Sequence, residues 1–284
     1  MNVNMAGIDW LRLGGPVTEP CAGPEEWVAA LNRRGYSAAY CPVDENAPAS
    51  EISAYAKAAA ESGITIAEVG AWSNPLSRDE AERKGAIKLC QARLALAETI
   101  GAGCCVNIAG SRNPDHWDGP HSDNVSRETF DLIVETVREI IDAVKPARTF
   151  YTLEPMPWVP PDSADSYLAI IKAVDRPACA VHFDPVNLVC SPRIFYDNGA
   201  MIRDFFARLG PRIKSCHAKD TMLSPKLTAH LDEVRPGLGK LDYGAYLSEL
   251  RKLGPRVPLM IEHLSTEEEY RASAEYIRGI AATI

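Results

Sequence analysis

CAVHFD, residues 179–184, is an apolar run that closes on a metal-competent side chain, and three other short runs close the same way: YTLE at Glu154, IKSCH at His217 and PLMIE at Glu262. A strand buried on both faces reads as apolar until it emerges, so such runs are expected where parallel strands of a barrel deliver polar side chains to one rim. Three carboxylates and one imidazole can hold a divalent cation. Their separations, roughly 30 to 45 residues, suit one strand-loop-helix-loop unit each and suit neither a zinc knuckle nor an EF-hand loop.

Outward from these runs the chain alternates strand-like and helix-like stretches eight times. Strands are expected at residues 3–8, 37–43, 65–71, 104–109, 148–154, 179–184, 213–218 and 257–263. Amphipathic helices are expected at 24–34, 49–62, 77–100, 163–174, 194–209, 241–253 and 266–282. One more runs through Phe130, Ile133, Val134, Val137, Ile140, Ile141 and Val144, whose spacing puts an apolar stripe on one face. Capping boxes are read at Ser77/Glu80 and Thr266/Glu269, proline opens a helix at Pro24, and Gly35, Gly63, Gly101, Gly210 and Gly254 follow helix ends. No GxGxxG or GKS/T loop follows any strand, so the alternation predicts a single-domain (β/α)8 TIM barrel over residues 1–284 rather than an open dinucleotide-binding sheet. Two long connections, 111–124 and 221–240, leave from the rim that carries the four polar residues and read as functional loops.

A net charge of −8 without a Lys/Arg run argues against nucleic acid or anionic lipid as partner. No segment suggests a membrane span, and MNVNMAGIDW lacks the pattern of a secretory signal. Eight cysteines without a CxxC pair read as reduced core residues of a cytoplasmic protein.

Period-two alternation sorts the strand residues: Thr152 shares the inward face with Glu154, His182 with Asp184, Ser215 with His217 and Met260 with Glu262. Leu153, Phe183, Cys216 and Ile261 then meet the helices. Proline follows both Glu154 and Asp184, which stiffens the backbone there. A single acidic residue at a strand end is commonly a solvated group; four polar residues at consecutive strand ends are not a coincidence of that kind. Three carboxylates buried together also demand a compensating cation.

LEPMPW, HFDPVN, SCHAKD and MIEH, in that order, with PGLGKLDYGAYL after the seventh strand, resemble the sugar isomerase/epimerase superfamily of xylose-isomerase-like barrels, which includes ketose 3-epimerases, inosose dehydratases, hydroxypyruvate isomerases and apurinic endonucleases. The resemblance implies that Glu154, Asp184, His217 and Glu262 bind one divalent metal, and that Glu154 and Glu262 also flank the substrate carbon as acid and base. A hard O3N site suits Mn2+ first, with Mg2+, Co2+ or Zn2+ as alternatives. Where ketose 3-epimerases carry a histidine and a substrate-binding glutamate, this chain has Asn187 and Pro160, which argues against a standard ketohexose 3-epimerase; the histidine ligands of the endonucleases have no counterpart.

The expected function is metal-dependent removal of a proton next to the carbonyl of a sugar, keto-sugar or cyclitol, ending in isomerisation or epimerisation. The alternative ends in elimination, as in an inosose-type dehydratase or a lyase acting on a 3-keto-glycoside; a non-catalytic sugar-binding barrel is the remaining class. Substrate contacts are expected from Glu68, Asn107, His182, Asn187, Lys219, Arg235, Trp117 and Trp158, with Trp72 and Asp220 as further candidates, and His182 as an alternative support for a ligand. Exposed helix faces can support a homo-oligomer.

Overall fold

The computed structural model describes residues 8–284. Eight parallel strands close into a barrel: β1 (Leu13–Gly15), β2 (Ala38–Tyr40), β3 (Thr65–Gly70), β4 (Cys104–Asn107), β5 (Tyr151–Leu153), β6 (Cys179–Phe183) and β7 (Ile213–Ala218), with the antiparallel pair β8 (Asp220–Ser224) and β9 (His230–Val234) inserted before the closing strand β10 (Leu259–Ile261). Around the ring the order is β1, β10, β7, β6, β5, β4, β3, β2. Helices α1 (Pro24–Arg34), α2 (Ala49–Glu61), α3 (Glu80–Ile100), α4 (Arg127–Val144), α5 (Ala164–Val174), α6 (Pro185–Leu188), α7 (Pro192–Tyr196), α8 (Asn198–Leu209), α9 (Tyr243–Leu253) and α10 (Glu267–Ala281) occupy the connections. None is long and apolar enough to cross a membrane.

The alternation holds. Leu153, Val181, Phe183, Cys216 and Ile261 join the large core shared with the helices, whereas Ala38, Ala67 and Met260 pack inside the ring against Tyr40. Buried tyrosines bolt the strand ends from the helix side. Tyr167 Oη of α5 donates to the His182 carbonyl (2.9 Å), Tyr246 Oη of α9 to that of His217 (2.9 Å), and Tyr243 Oη to that of Lys219 (2.8 Å). Each bond satisfies a hydroxyl that burial would otherwise make costly. All eight cysteines are unpaired, five of them buried.

Several expectations are corrected. Of the stretch expected as the first strand, residues 3–7 lie outside the described residues, and the barrel's first strand is Leu13–Gly15 instead. Its LGG sequence carries no strand signature, but a Cβ on Gly14 would lie 2.4 Å from the Ala38 carbonyl oxygen, so the close β1–β2 approach selects glycine. Asp79, not Ser77, caps α3 by accepting from the amides of Ala81 and Glu82, while Ser77 Oγ donates to Glu82. The single helix expected at 194–209 breaks at Asp197 into α7 and α8, and Gly210 is right-handed rather than left-handed. Thr266/Glu269 is a capping box as expected, and Ser163/Ser166 forms another.

The 221–240 connection is an antiparallel hairpin rather than an open loop. Its return is pinned by Asp220, whose carboxylate accepts from the amides of Thr221 (2.8 Å), Gly237 (3.0 Å), Gly239 (3.1 Å) and Leu241 (2.8 Å). Asp220 is therefore an anchor, not a substrate contact: four backbone donors saturate it. In the 111–124 loop, Ser111 Oγ and Asn124 Nδ2 both donate to the Gly119 carbonyl, at 2.6 and 3.1 Å.

Candidate metal centre

Four elements deliver the four expected donors to one place. Glu154 follows β5, Asp184 follows β6, His217 lies in β7 and Glu262 follows β10, four strands adjacent in the ring. One donor atom from each lies within 4.8 Å of all the others. Asp184 and His217 are fully buried, and Glu154 is 5% exposed.

Asp184 divides its two oxygens between tasks. Oδ1 accepts from the amides of Val186 (2.9 Å) and Asn187 (3.3 Å), which fixes the carboxylate; Oδ2 faces the centre without a hydrogen bond. Glu262 Oε1 is likewise without one. Both oxygens lie close to the Lys219 ammonium, at 2.8 and 2.6 Å, and Glu262 Oε1 is 2.7 Å from His217 Nδ1, yet none of these contacts has hydrogen-bonding geometry. These two oxygens are aimed at the point the four donors share. Glu154 Oε1 accepts from Asn187 Nδ2 (3.0 Å), His217 Nδ1 (3.2 Å) and Lys219 Nζ (3.4 Å).

Beneath this layer Glu68 accepts from the Nε2 atoms of both His217 and His182, each at 3.0 Å. A carboxylate there ties down the far nitrogen of His217 and turns Nδ1 toward the centre. The rings of His182 and His217 pack edge to face at 4.0 Å, and His182 Nδ1 is buried without a partner.

The charges are strongly coupled. Burial disfavours the ionised form of Asp184, but Lys219 and His217 override it and hold the carboxyl well below the usual range. The same contest, with His217 first and Lys219 after it, pulls Glu262 down to about 2. Burial also opposes charge on His217 and Lys219, and the surrounding carboxylates raise both well above their ordinary values. A cation held here would compete with the proton on His217 Nδ1, because a ligating imidazole must be free of that proton.

Above the centre opens a cavity of about 410 Å³, lined among others by Glu154, Asn187, Lys219, Glu262, Trp72 and Trp117. Five residues expected to contact substrate stand outside the cavity's lining. Glu68 is 1% exposed and occupied by the two imidazoles, one layer below the cavity, and His182 is buried beside it. Asn107 pairs in register with the outward-facing Leu153, so its side chain turns to the helix side, where it bonds Ser73 and Cys90. Arg235 donates to the Pro236 carbonyl (2.9 Å), outside the cavity. Trp158 Nε1 donates to the Asp118 carbonyl (2.7 Å), bracing the neighbouring loop without lining the cavity.

Among the lining residues that the sequence did not single out are Glu233 and His263. Glu233 reaches the mouth from β9 and accepts from His263 Nδ1 (3.1 Å), which holds that imidazole above its usual pKa. His263 has φ 58, a left-handed turn directly after Glu262. Its adjacency to a predicted ligand was the available signal; Glu233 had none, because only the curl of the hairpin brings it near.

Several solved structures share the architecture. The 3-keto-D-glucoside 4-epimerase from E. coli superposes with TM-score 0.67 at 15% identity, covering 95% of this chain and 99% of that one. The probable 3-DHS dehydratase involved in petrobactin synthesis from Bacillus anthracis gives 0.67 at 14%, covering 94% of this chain and 97% of that one. A xylose isomerase-like TIM barrel protein from Mycobacterium smegmatis, in complex with magnesium, gives 0.65 at 17%, covering 92% and 90%. At these identities the likeness is one of fold. No curated protein matches by sequence. Residues 25–280 match the family model described as xylose isomerase-like TIM barrel, and the chain belongs to that family.

Proposed function

We propose that this protein is a metal-dependent enzyme that removes a proton next to the carbonyl of a sugar, keto-sugar or cyclitol and returns it in an isomerisation or epimerisation. The observation that carries the reading is the convergence of Glu154, Asp184, His217 and Glu262, with two carboxylate oxygens aimed at the shared point without hydrogen bonds. The epimerase, the dehydratase and the magnesium-bound protein among the structural neighbours support it. Three hard oxygens and one nitrogen fit Mn2+, Mg2+, Co2+ or Zn2+. Such a cation would polarise a carbonyl and stabilise negative charge on its oxygen.

The residues themselves move the proton. Glu154 and Glu262 come from strands separated by two others in the ring, so they approach the point from two sides. One carboxylate takes the α-proton as general base and the other returns one from the opposite face, which inverts the carbon. Asn187 orients Glu154 through its 3.0 Å bond. Lys219, 2% exposed, offers an ammonium to a substrate oxygen. A leaving group β to the carbanion diverts the same first step into elimination, the reading favoured by the dehydratase neighbour.

The test is exchange in D2O. Purified protein with Mn2+ is incubated with ketoses, inososes and 3-keto-glycosides, and products are read by mass and NMR. Deuterium at a substrate carbon, lost with EDTA and reduced about 10²–10⁴-fold in Glu154→Gln or Glu262→Gln, is the expected result. Exchange at full rate in both variants rules out the assigned bases, and failure to bind any divalent ion rules out the centre.

A further inference from the structure

The cavity has two unlike halves, and the order of strands in the ring separates them. Glu154, Asn187, Lys219 and Glu262 belong to the contiguous arc of β5, β6, β7 and β10. The wall contributed after β3, β4 and β5 is mainly apolar: Trp72, Ile108, Trp117 and Met156, joined by Pro16 from beyond β1, with Asp118 as its one charged member. Trp72 and Trp117 remain 44% and 42% exposed, large aromatic faces left open at the mouth.

These faces are held in place. A Cβ on Gly70 would lie 2.5 Å from Trp72 Nε1, so the glycine makes the room in which the indole packs back on its own strand. The Trp117 loop is braced on both sides: Ser111 and Asn124 grip the Gly119 carbonyl, and Trp158 Nε1 grips that of Asp118. A loop backbone fixed by such bonds loses little further entropy on binding.

A volume of about 410 Å³ falls in the class that encloses drug-sized ligands, roughly 300–1,000 Å³. The polar arc offers enough donors and acceptors for one polyhydroxylated ring. The aromatic arc offers a single carboxylate, Asp118, and two π-faces that an unsaturated ring fits. We infer that the substrate is a glycoside-like molecule: a keto-sugar ring in the polar arc joined to a planar, apolar group that rests against Trp72 and Trp117. This deepens the proposed function and rests on it, since that reading puts the sugar ring in the polar arc.

The test compares methyl and phenyl 3-keto-β-D-glucopyranosides with the Mn2+-supplemented protein, by titration calorimetry for affinity and by exchange in D2O for chemistry. The phenyl compound is expected to bind about 10-fold tighter, a difference of about 1.4 kcal/mol. In Trp72→Ala and in Trp117→Ala the phenyl-to-methyl ratio should fall below about 3, while Trp117→Phe, which keeps a ring, should retain most of it. Both indoles are partly exposed, so folding survives these changes. A ratio near one in the unmodified protein, a ratio untouched by either alanine, or no binding of either compound overturns the inference. Exchange accompanied by a ratio near one removes the aromatic subsite alone; a 10-fold ratio without exchange in either compound removes proton abstraction and leaves the subsite standing.

Discussion

Glu68→Gln is the perturbation that bears most directly on how the centre is built. Glu68 is buried and accepts from two imidazole nitrogens at 3.0 Å each. Glutamine keeps the volume but offers one carbonyl oxygen; its amide nitrogen must face the other imidazole N–H, donor against donor. One buried donor is left unsatisfied, a cost of about 1–3 kcal/mol. If the orphaned ring is His217, its Nδ1 is no longer held toward Glu154, Asp184 and Glu262. Changing the carboxylate that orients a ligating histidine typically weakens metal binding about 10- to 100-fold, which is about 1.4–2.8 kcal/mol and agrees with the hydrogen-bond figure. Calorimetric titration with Mn2+ reads the affinity, and thermal unfolding in EDTA reads the remainder as a drop in Tm of about 2–4 °C per kcal/mol. A folded Glu68→Gln protein whose Kd for Mn2+ stays within about twofold of the original would refute the reasoning, because His217 would then not depend on its far nitrogen for orientation.

Lys219→Met removes the ammonium that lies 2.6–3.4 Å from three carboxylates. Stripping the partner from buried charges costs about 3–5 kcal/mol, so Tm in EDTA should fall sharply and recover in Mn2+; equal losses in both conditions would count against the cluster as a cation site. On the outer surface, Arg34 holds Glu19 at about pKa 2 against an ordinary 4.5, mainly through their hydrogen bond. Because the folded pKa is depressed, the pair's contribution is present above about pH 4.5 and fades as pH falls toward 2. Glu19 is 34% exposed, so solvent screening limits the pair to about 1 kcal/mol. Urea unfolding should show the deficit of Arg34→Met near pH 6 and its shrinkage by pH 3, and a pH-independent deficit would contradict the assignment.

The sequence was most legible where physics imposes a period. Apolar runs ending in Glu154, Asp184 and Glu262 and the run through His217 marked the strands and the inward face together, since a barrel strand tolerates polar groups only where it emerges. Helix α4 was legible from its stripe and α10 from its capping box. What could not be read depends on closure of the ring. Glu68, His182 and His217 stand 114 and 35 residues apart, on β3, β6 and β7, and meet only across the interior. β1 is three residues with two glycines, chosen for close approach and not for strand propensity. Asn107 sat at a strand end like the ligands, but one step out of phase, which reverses the face it serves.

Asp220 has a consequence for how this barrel can change. By collecting four amides from both ends of the hairpin, it isolates residues 225–229 from the strands that carry the donors. Leu227 at that tip is fully exposed. The tip is in effect a cassette clipped to the frame at its base, so segments of other length or composition can be spliced there, recasting the entrance while the machinery below keeps its alignment.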